Sequence, residues 1–281
     1  MQTSFAFACT RAMNGNHPIL NNHLSPSLRA KSAGGLVARE FKFLLPYNKA
    51  QKLESLANAC MELDPHCSPD ATDGQGRYQV QSVYLDTPEQ SILHRAMGLR
   101  NIKYRLRRYA LGSTLFLERK SKLNAELEKK RIVADMGCLS KIDEHIDKDP
   151  IDSVDWFVSD VQRLRLRPAC VVQYQRRAYY IDSDLEPLRM TLDFDLSSKD
   201  CLSNRFSEIE WSDGIDGLKS ARYRPGPLQF VIGDQVIMEL KFFGSLPSLF
   251  KLWMIELEIA PIRFSKYRTA MSSYSCYSEV S

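Results

Sequence analysis

The sequence predicts an α+β fold organised round one large antiparallel sheet or barrel, and three observations point there. Short segments of alternating apolar and polar residues follow one another closely through the middle of the chain. The few helical segments do not alternate with them one for one, which argues against regular βαβ order. The length of 281 residues, 44% of them hydrophobic, suffices for a sizeable core in one large domain or two small ones. That composition excludes a mainly disordered chain. The longest apolar stretches, 41–45 and 249–260, are short or broken by Lys and Glu. Both fall below the ~18–20 residues of a membrane helix, so no membrane insertion is expected. A net charge of +4 does not by itself imply nucleic acid.

Taken in order, residues 1–35 precede the first acidic residue, Glu40, and show no lasting periodicity. They read as a disordered N-terminal extension, with a composition also compatible with an organelle transit peptide. From Leu36 the chain reads as folded. Val37, Phe41, Phe43 and Leu45 alternate with Ala38, Glu40 and Lys42 as in a strand, which Pro46 ends. Asn48 to Met61 has helical spacing, with Asn48 as a candidate cap. Residues 63–76 are rich in Asp, Pro and Gly and read as a loop. Tyr78 to Leu85 alternates again, and Thr87 is placed to cap a short helix from Pro88 to Met97. Strands are then predicted at Ile102–Tyr109, Thr114–Lys120, Lys129–Ala134, Ala169–Ile181, Leu188–Leu196 and Val236–Phe243, with a helical region from Ser140 to Leu164. Residues 200–234 carry Gly and Pro clusters and give no clear element. The last helix spans Leu246–Leu257, and residues 272–281 form a Ser/Tyr-rich tail expected to fray. One domain over 36–271 results.

Seven cysteines are scattered without a Cys-x-x-Cys pair. This argues against a zinc site and against a secreted disulfide scaffold, and for a reducing, cytoplasmic location. Trp156, Trp211 and Trp253 read as packing anchors. Asp86 reads as a turn or cap residue, and the Arg163, Arg165, Arg167 run as a solvated face.

Side chains two apart on a strand share a face. In Leu188–Leu196 the apolar residues oppose Arg189, Thr191, Asp193 and Asp195. Likewise Lys103, Arg105 and Arg107 share a face, as do Glu118 and Lys120, Lys129 and Arg131, Glu239 and Lys241, and Glu40 and Lys42. An antiparallel sheet with one wet face would solvate such charges and give them no function. Two features weigh on the other side. The charged faces are nearly pure Arg, Lys and Glu, and the Arg-x-Arg, Glu-x-Lys and Lys-x-Arg pairs recur in strand after strand. If the sheet closes, these groups point inward, where unpaired cations cost several kcal/mol each unless water or an anion fills the space. A triphosphate suits that interior.

The ordered segments Arg39-Glu40-Phe41-Lys42, Tyr84-Leu85-Asp86, Lys103 to Tyr109, Leu117 to Ser121, Lys129-Lys130-Arg131, Tyr174 to Tyr179, Arg189 to Asp193, Met238 to Lys241 and Phe264 to Tyr267 resemble the polyphosphate polymerase (VTC) domain family. The resemblance covers residues 37–271. It implies the triphosphate tunnel fold, a closed eight-stranded antiparallel β-barrel with surrounding helices. It also implies transfer of the γ-phosphate of ATP onto a polyphosphate chain, with Mn²⁺ or Mg²⁺. The phosphate-binding residues it implies are Lys42, Arg105, Arg107, Lys120, Lys129, Arg131, Arg176, Arg189, Lys241 and Lys266. Of these, Arg105, Arg107 and Lys120 would be catalytic together with Glu239. Glu239 is also the implied metal ligand, with Glu40 and Glu118 as lesser candidates and Asp193 a weaker one.

The wider superfamily often has Glu-x-Glu-x-Lys on its first strand, and the first of those positions is Ala38 here. One metal ligand would then be missing. The family's eukaryotic members carry a phosphate-sensing domain and membrane helices that this sequence lacks, so a free-standing domain of bacterial type is expected. The alternatives are a metal-dependent tripolyphosphatase or nucleoside triphosphatase on the same fold, and a non-catalytic polyphosphate-binding module. Duplex nucleic acid is not expected as a partner, because the basic residues are spread over many strands rather than along one recognition helix.

Overall fold

The computed structural model describes residues 38–67, 76–109, 114–123, 126–146, 156–182, 188–201, 205–211 and 229–275. The expected extension over 1–35, most of the mixed region and residues 276–281 lie outside these. The strands are β1 (Ala38–Leu45), β2 (Glu62–Leu63), β3 (Tyr78–Asp86), β4 (Ile102–Tyr109), β5 (Leu115–Leu123), β6 (Glu126–Ala134), β7 (Arg167–Ile181), β8 (Leu188–Asp200), β9 (Gln229–Phe230) and β10 (Val236–Phe243). They form one antiparallel sheet in the order β1-β10-β8-β7-β3-β4-β5-β6, with β2 added to β7 and β9 to β8. The helices are α1 (Tyr47–Cys60), α2 (Cys138–Ile146), α3 (Trp156–Arg163), α4 (Ser248–Glu256) and α5 (Lys266–Ser275). None is long and apolar enough to cross a membrane.

The expected barrel is curled but not closed by pairing, since β1 and β6 end the strand order and do not pair. Twist accumulated over eight strands brings the walls together. Lys120 on β5 lies 3.6 Å from Glu40 on β1, although these strands stand near opposite ends of the order. The segment after α4 explains the opening. Ile262 N donates to Lys42 O at 2.7 Å. Backbone bonds lie in the plane of a sheet, and β10 already holds one side of β1, so this segment takes the edge that β6 would need.

Alternation splits each strand between two faces. On the convex side Phe43, Met190, Leu192, Met238 and Leu240 pack under α1 and α4 through Leu53, Ala57, Phe250 and Trp253. Tyr104, Leu106 and Leu117 pack under α2 and α3 with Ile142, Phe157 and Val161. Asp160 of α3 fastens that layer, accepting from Tyr104 Oη at 2.8 Å and Arg119 Nη1 at 2.9 Å. Helix α5 packs against β7 and β8. Its Tyr267 stacks on Tyr84 and donates to Asp86.

Four expectations need correction. Pro88 to Met97 is a chain of turns, not a helix. Asp86 holds it by accepting from Thr87 N, Ile92 N and Leu93 N, and Thr87 Oγ1 accepts from Ser91 N, so the capping groups are present without a helix behind them. Pro46 rather than Asn48 starts α1, its carbonyl accepting from Lys49 and Ala50. Residues 272–275 continue α5 instead of opening the tail. Asp195 leaves the charged face of β8: the register slips between Gln173 and Gln175, and Asp195 takes φ 54° and turns out to solvent. Such a bulge redirects one residue and keeps its neighbours in place, so Asp193 stays fully buried.

Candidate functional site

Strand register decides which charges meet. Across β4, β5 and β6, Lys103 stands opposite Lys120, and Lys120 opposite Lys129. In the next row on that face Arg105 stands opposite Glu118, and Glu118 opposite Arg131. Across β1, β10 and β8, Glu40 faces Lys241 and Lys241 faces Arg189, while Lys42 faces Glu239 and Glu239 faces Thr191. Asp193 faces Arg176 on β7. The curl turns all of these to one lumen.

Among the described residues, the lumen face of β4–β6 has one carboxylate, Glu118, which is 2% exposed. Arg105 Nε lies 2.5 Å from its Oε2, Lys129 Nζ 2.9 Å from its Oε1, and Arg131 donates to Oε1 through Nε at 2.7 Å and again through Nη2. Burial alone would raise the Glu118 carboxyl, but Arg105, Arg107, Lys129 and Arg131 hold it far below the usual range. Arg107 Nε donates to Ser82 Oγ at 3.0 Å. Lys103 Nζ donates to Ser265 Oγ at 3.0 Å, and the charges that act on it are those of Lys42, Lys120, Arg105 and Arg268. Burial together with those cations pulls the Lys103 ammonium down to about 8.

The opposite wall is balanced. Asp193 takes both arms of Arg176, Nε to Oδ1 at 2.6 Å and Nη2 to Oδ2 at 2.8 Å. Lys266, which α5 brings in, lies 2.6 Å from Asp193 Oδ2 and 2.9 Å from Glu239 Oε1. Lys42 Nζ sits 3.3 Å from both Glu40 and Glu239. Burial and Glu239 both push the Glu40 carboxyl up, and Lys241, Lys42 and Lys120 overcome them and hold it at about 2. Arg189 Nη1 lies 2.6 Å from Asp64 Oδ2. Its Nη2, and the hydroxyls of Tyr78, Tyr174 and Thr191, are buried without a hydrogen-bond partner among the described residues.

Water reaches this interior. The side chains of Lys120, Lys129 and Lys241 are 41%, 43% and 42% exposed. Desolvation is nonetheless the largest influence on Lys129, which falls to about 7, and on Lys241, which falls to about 8. Accessible surface crowded by protein in this way belongs to the concave side of the curled sheet, not to an outer face.

The fit of a divalent ion follows from the carboxylates. Among the described residues no three His, Cys, Asp or Glu side chains come together as a ligand group. Glu40 and Glu239 share Lys42, 3.3 Å from each, and Glu239 is close enough to push the Glu40 carboxyl up. Mg²⁺-like ions commonly take one or two carboxylates and complete their shell with substrate phosphates, and this pair fits that pattern. Glu118 stands apart on the β4–β6 wall, more deeply buried than Glu239 and engaged by three cations at 2.9 Å or less, whereas the three at Glu239, Lys42, Arg176 and Lys266, lie at 2.9–4.0 Å. Asp193 is likewise filled by Arg176 and Lys266.

The structure thus brings to one lumen the ten basic residues and four carboxylates that the resemblance named. Sequence reasoning left out Lys103 as a site residue, although its alternation with Arg105 was visible. It also left out Asp64, Ser82 and Ser265, which hold Arg189, Arg107 and Lys103 through contacts distant in sequence.

The family model described as VTC domain matches residues 37–275. A search of curated proteins finds no match. Among solved structures, a candidate adenylyl cyclase from Hippeastrum, described as having a dominant triphosphatase activity, aligns with TM-score 0.47 and 15% identity over 84% of this chain and 96% of its own. A candidate adenylate cyclase from Bacillus halodurans aligns with TM-score 0.42 and 12% identity over 82% and 93%. One from Vibrio parahaemolyticus gives 0.43 and 10% over 84% and 98%.

Proposed function

This chain belongs to the VTC domain family, and from that premise we propose that it is a polyphosphate polymerase-like phosphotransferase, moving the γ-phosphate of ATP onto a polyphosphate chain held in the lumen. The observation that carries this reading is the row Lys103, Lys120 and Lys129, three ammonium groups side by side on adjacent strands. Like charges directly opposite one another destabilise a sheet, so the row favours a bound polyanion with evenly spaced negative charge. Arg105 and Arg131 flank the row and are aimed through Glu118. Their planar forks suit bidentate binding of phosphate oxygens.

Phosphoryl transfer is mostly positioning and neutralisation of charge. Lys120, Arg105 and Arg107 orient the transferred group and take up its charge, while Lys42, Lys129, Arg131, Arg176, Arg189 and Lys241 hold the rest of the chain. The attacking oxygen comes from the terminal phosphate of that chain or from orthophosphate, the bond from γ-phosphorus to the bridging oxygen breaks, and ADP departs. No protein nucleophile is required. Glu239 and Glu40 would hold Mn²⁺ or Mg²⁺, which would supply positive charge to offset that of the phosphates. Glu118 serves as counter-charge to the arginines. The buried thiols of Cys67, Cys170 and Cys201, outside any disulfide among the described residues, suit a reducing compartment such as the cytoplasm.

Purified protein incubated with ATP and Mn²⁺ tests the reading. Polyphosphate on a gel is expected, and Lys120→Ala should abolish it. Orthophosphate as the sole product would show water to be the acceptor and make the protein a hydrolase. Unchanged ATP with retained tripolyphosphate binding would leave a binding module.

A further inference from the structure

Lys266 was expected to bind phosphate, but its surroundings give it another duty. An ammonium group has three N–H donors. Two meet carboxylates, Asp193 Oδ2 at 2.6 Å and Glu239 Oε1 at 2.9 Å. The remaining side of the charge lies over the Tyr174 ring, 4.8 Å from its centroid. The side chain is 5% exposed. No donor remains for a phosphate oxygen, and the contrast with Lys120 at 41% is large.

The geometry points to a cation site between Asp193 and Glu239 whose occupant is Lys266, standing where a second divalent ion would otherwise bind. Two buried carboxylates sharing one site repel each other unless a cation lies between them. Many phosphoryl-transfer sites place a second metal ion in such a position. Here helix α5 delivers the charge covalently, and Arg176 fills the other oxygen of Asp193. The lumen is thereby limited to at most one exchangeable ion, which on the Glu40 side of Glu239 would have to displace the more exposed Lys42, 3.3 Å from both carboxylates. This inference rests on reading the lumen as a metal–phosphate site, and its test does not depend on turnover.

Mn²⁺ binding is measured by the loss of the free-ion electron paramagnetic resonance signal, in the full chain without nucleotide. The unaltered protein should take up no more than one tight Mn²⁺; two would overturn the inference. Lys266→Met, which keeps the length and removes the charge, should bind one Mn²⁺ more than the unaltered protein, or bind it at least tenfold more tightly. A folded Lys266→Met with an unchanged isotherm would overturn the inference. Asp193→Asn should leave the isotherm of the unaltered protein in place, and a tenfold loss would mark Asp193 as a metal ligand and overturn it too. If Lys266→Met does not fold, the count on the unaltered protein and the Asp193→Asn isotherm still decide. Tripolyphosphate binding without metal is followed in parallel: its absence would sink the phosphate reading, whereas the Mn²⁺ count sinks this inference alone.

Discussion

On the wall formed by β4, β5 and β6, the cations Lys103, Arg105, Arg107, Lys120, Lys129 and Arg131 share one carboxylate of their own, Glu118, with Lys120 also reaching Glu40 across the lumen at 3.6 Å. On the wall formed by β1, β10, β8 and β7, Lys42, Lys241, Arg176, Arg189 and Lys266 are set against Glu40, Glu239, Asp193 and Asp64. The second wall is closest to neutral where it is driest: Asp193 is fully buried and Lys266 nearly so. The first keeps its surplus of charge where water enters, at Lys120 and Lys129. The difference shows how one sheet serves two ends. A buried charge pays its desolvation only with a partner, so the balanced wall is architecture. A solvated surplus tolerates an empty lumen and gains when a polyanion arrives.

The largest effect that separates the walls is on stability. Asp193→Ala leaves Arg176 and Lys266 buried without their shared partner, and breaking such a group costs about 3–5 kcal/mol. Lys120→Ala should stay within about 0.5 kcal/mol, as for an exposed side chain. Urea unfolding of the two variants measures the contrast, and equal destabilisation would erase the distinction between walls.

On turnover the order reverses. Lys120→Ala should lose about 10²–10³ in kcat for polyphosphate synthesis, the scale for removing one preorganised charge-stabilising group. Glu239→Gln should lose turnover while tripolyphosphate affinity, read by calorimetry, stays near that of the unaltered protein. A Glu239→Gln variant that turns over normally would leave the balanced wall with no chemical part.

Lys103→Ala sharpens the comparison within the cationic wall. A hydrogen bond to a charged group contributes about 1.5–3 kcal/mol, so tripolyphosphate affinity should fall about tenfold to a hundredfold. Lys130→Ala, on β6 and paired with Glu128 outside the lumen, should leave affinity as it is. If both substitutions act alike, net charge rather than the lumen row governs binding.

How much of this was legible beforehand differs by kind of contact. Period-two alternation places Lys103, Arg105 and Arg107 on one face, and the structure keeps them there. It places Asp195 wrongly, because a bulge depends on how β7 and β8 register and no single strand records that. Helix α5 did leave a signal, with Tyr267, Ala270, Met271 and Tyr274 at helical spacing, hidden by Ser and Tyr that read as a tail. Closure was overstated because the segment that takes the edge of β1 has no period of its own, and its Ile262 to Lys42 bond joins residues far apart in sequence. The partition of charge into two walls was invisible for the same reason: Lys266 reaches Asp193 and Glu239 only once three elements meet.

The smallest effect is on protons, and it comes from the more solvated lysines of both walls. Burial and neighbouring cations lower Lys103 to about 8, Lys129 to about 7 and Lys241 to about 8. The unfolded chain keeps these lysines protonated up to about pH 10.4. From pH 7 to about 10 the unfolded state therefore binds more protons, and the ligand-free protein should gain stability from these groups as pH rises. Lys241 adds to this rise from the balanced wall, whereas Asp193 and Glu239 there are depressed carboxylates and Lys266 is raised, so these three do not add to it. A bound phosphate chain needs the ammonium forms and restores them, so tripolyphosphate binding at pH 8 should take up protons and weaken a few-fold towards pH 9. Calorimetry in two buffers of different ionisation enthalpy reads the uptake directly. Lys103→Ala should take up less, and an unaltered protein that binds at pH 8 without proton uptake would show that the row is already fully charged in the empty lumen.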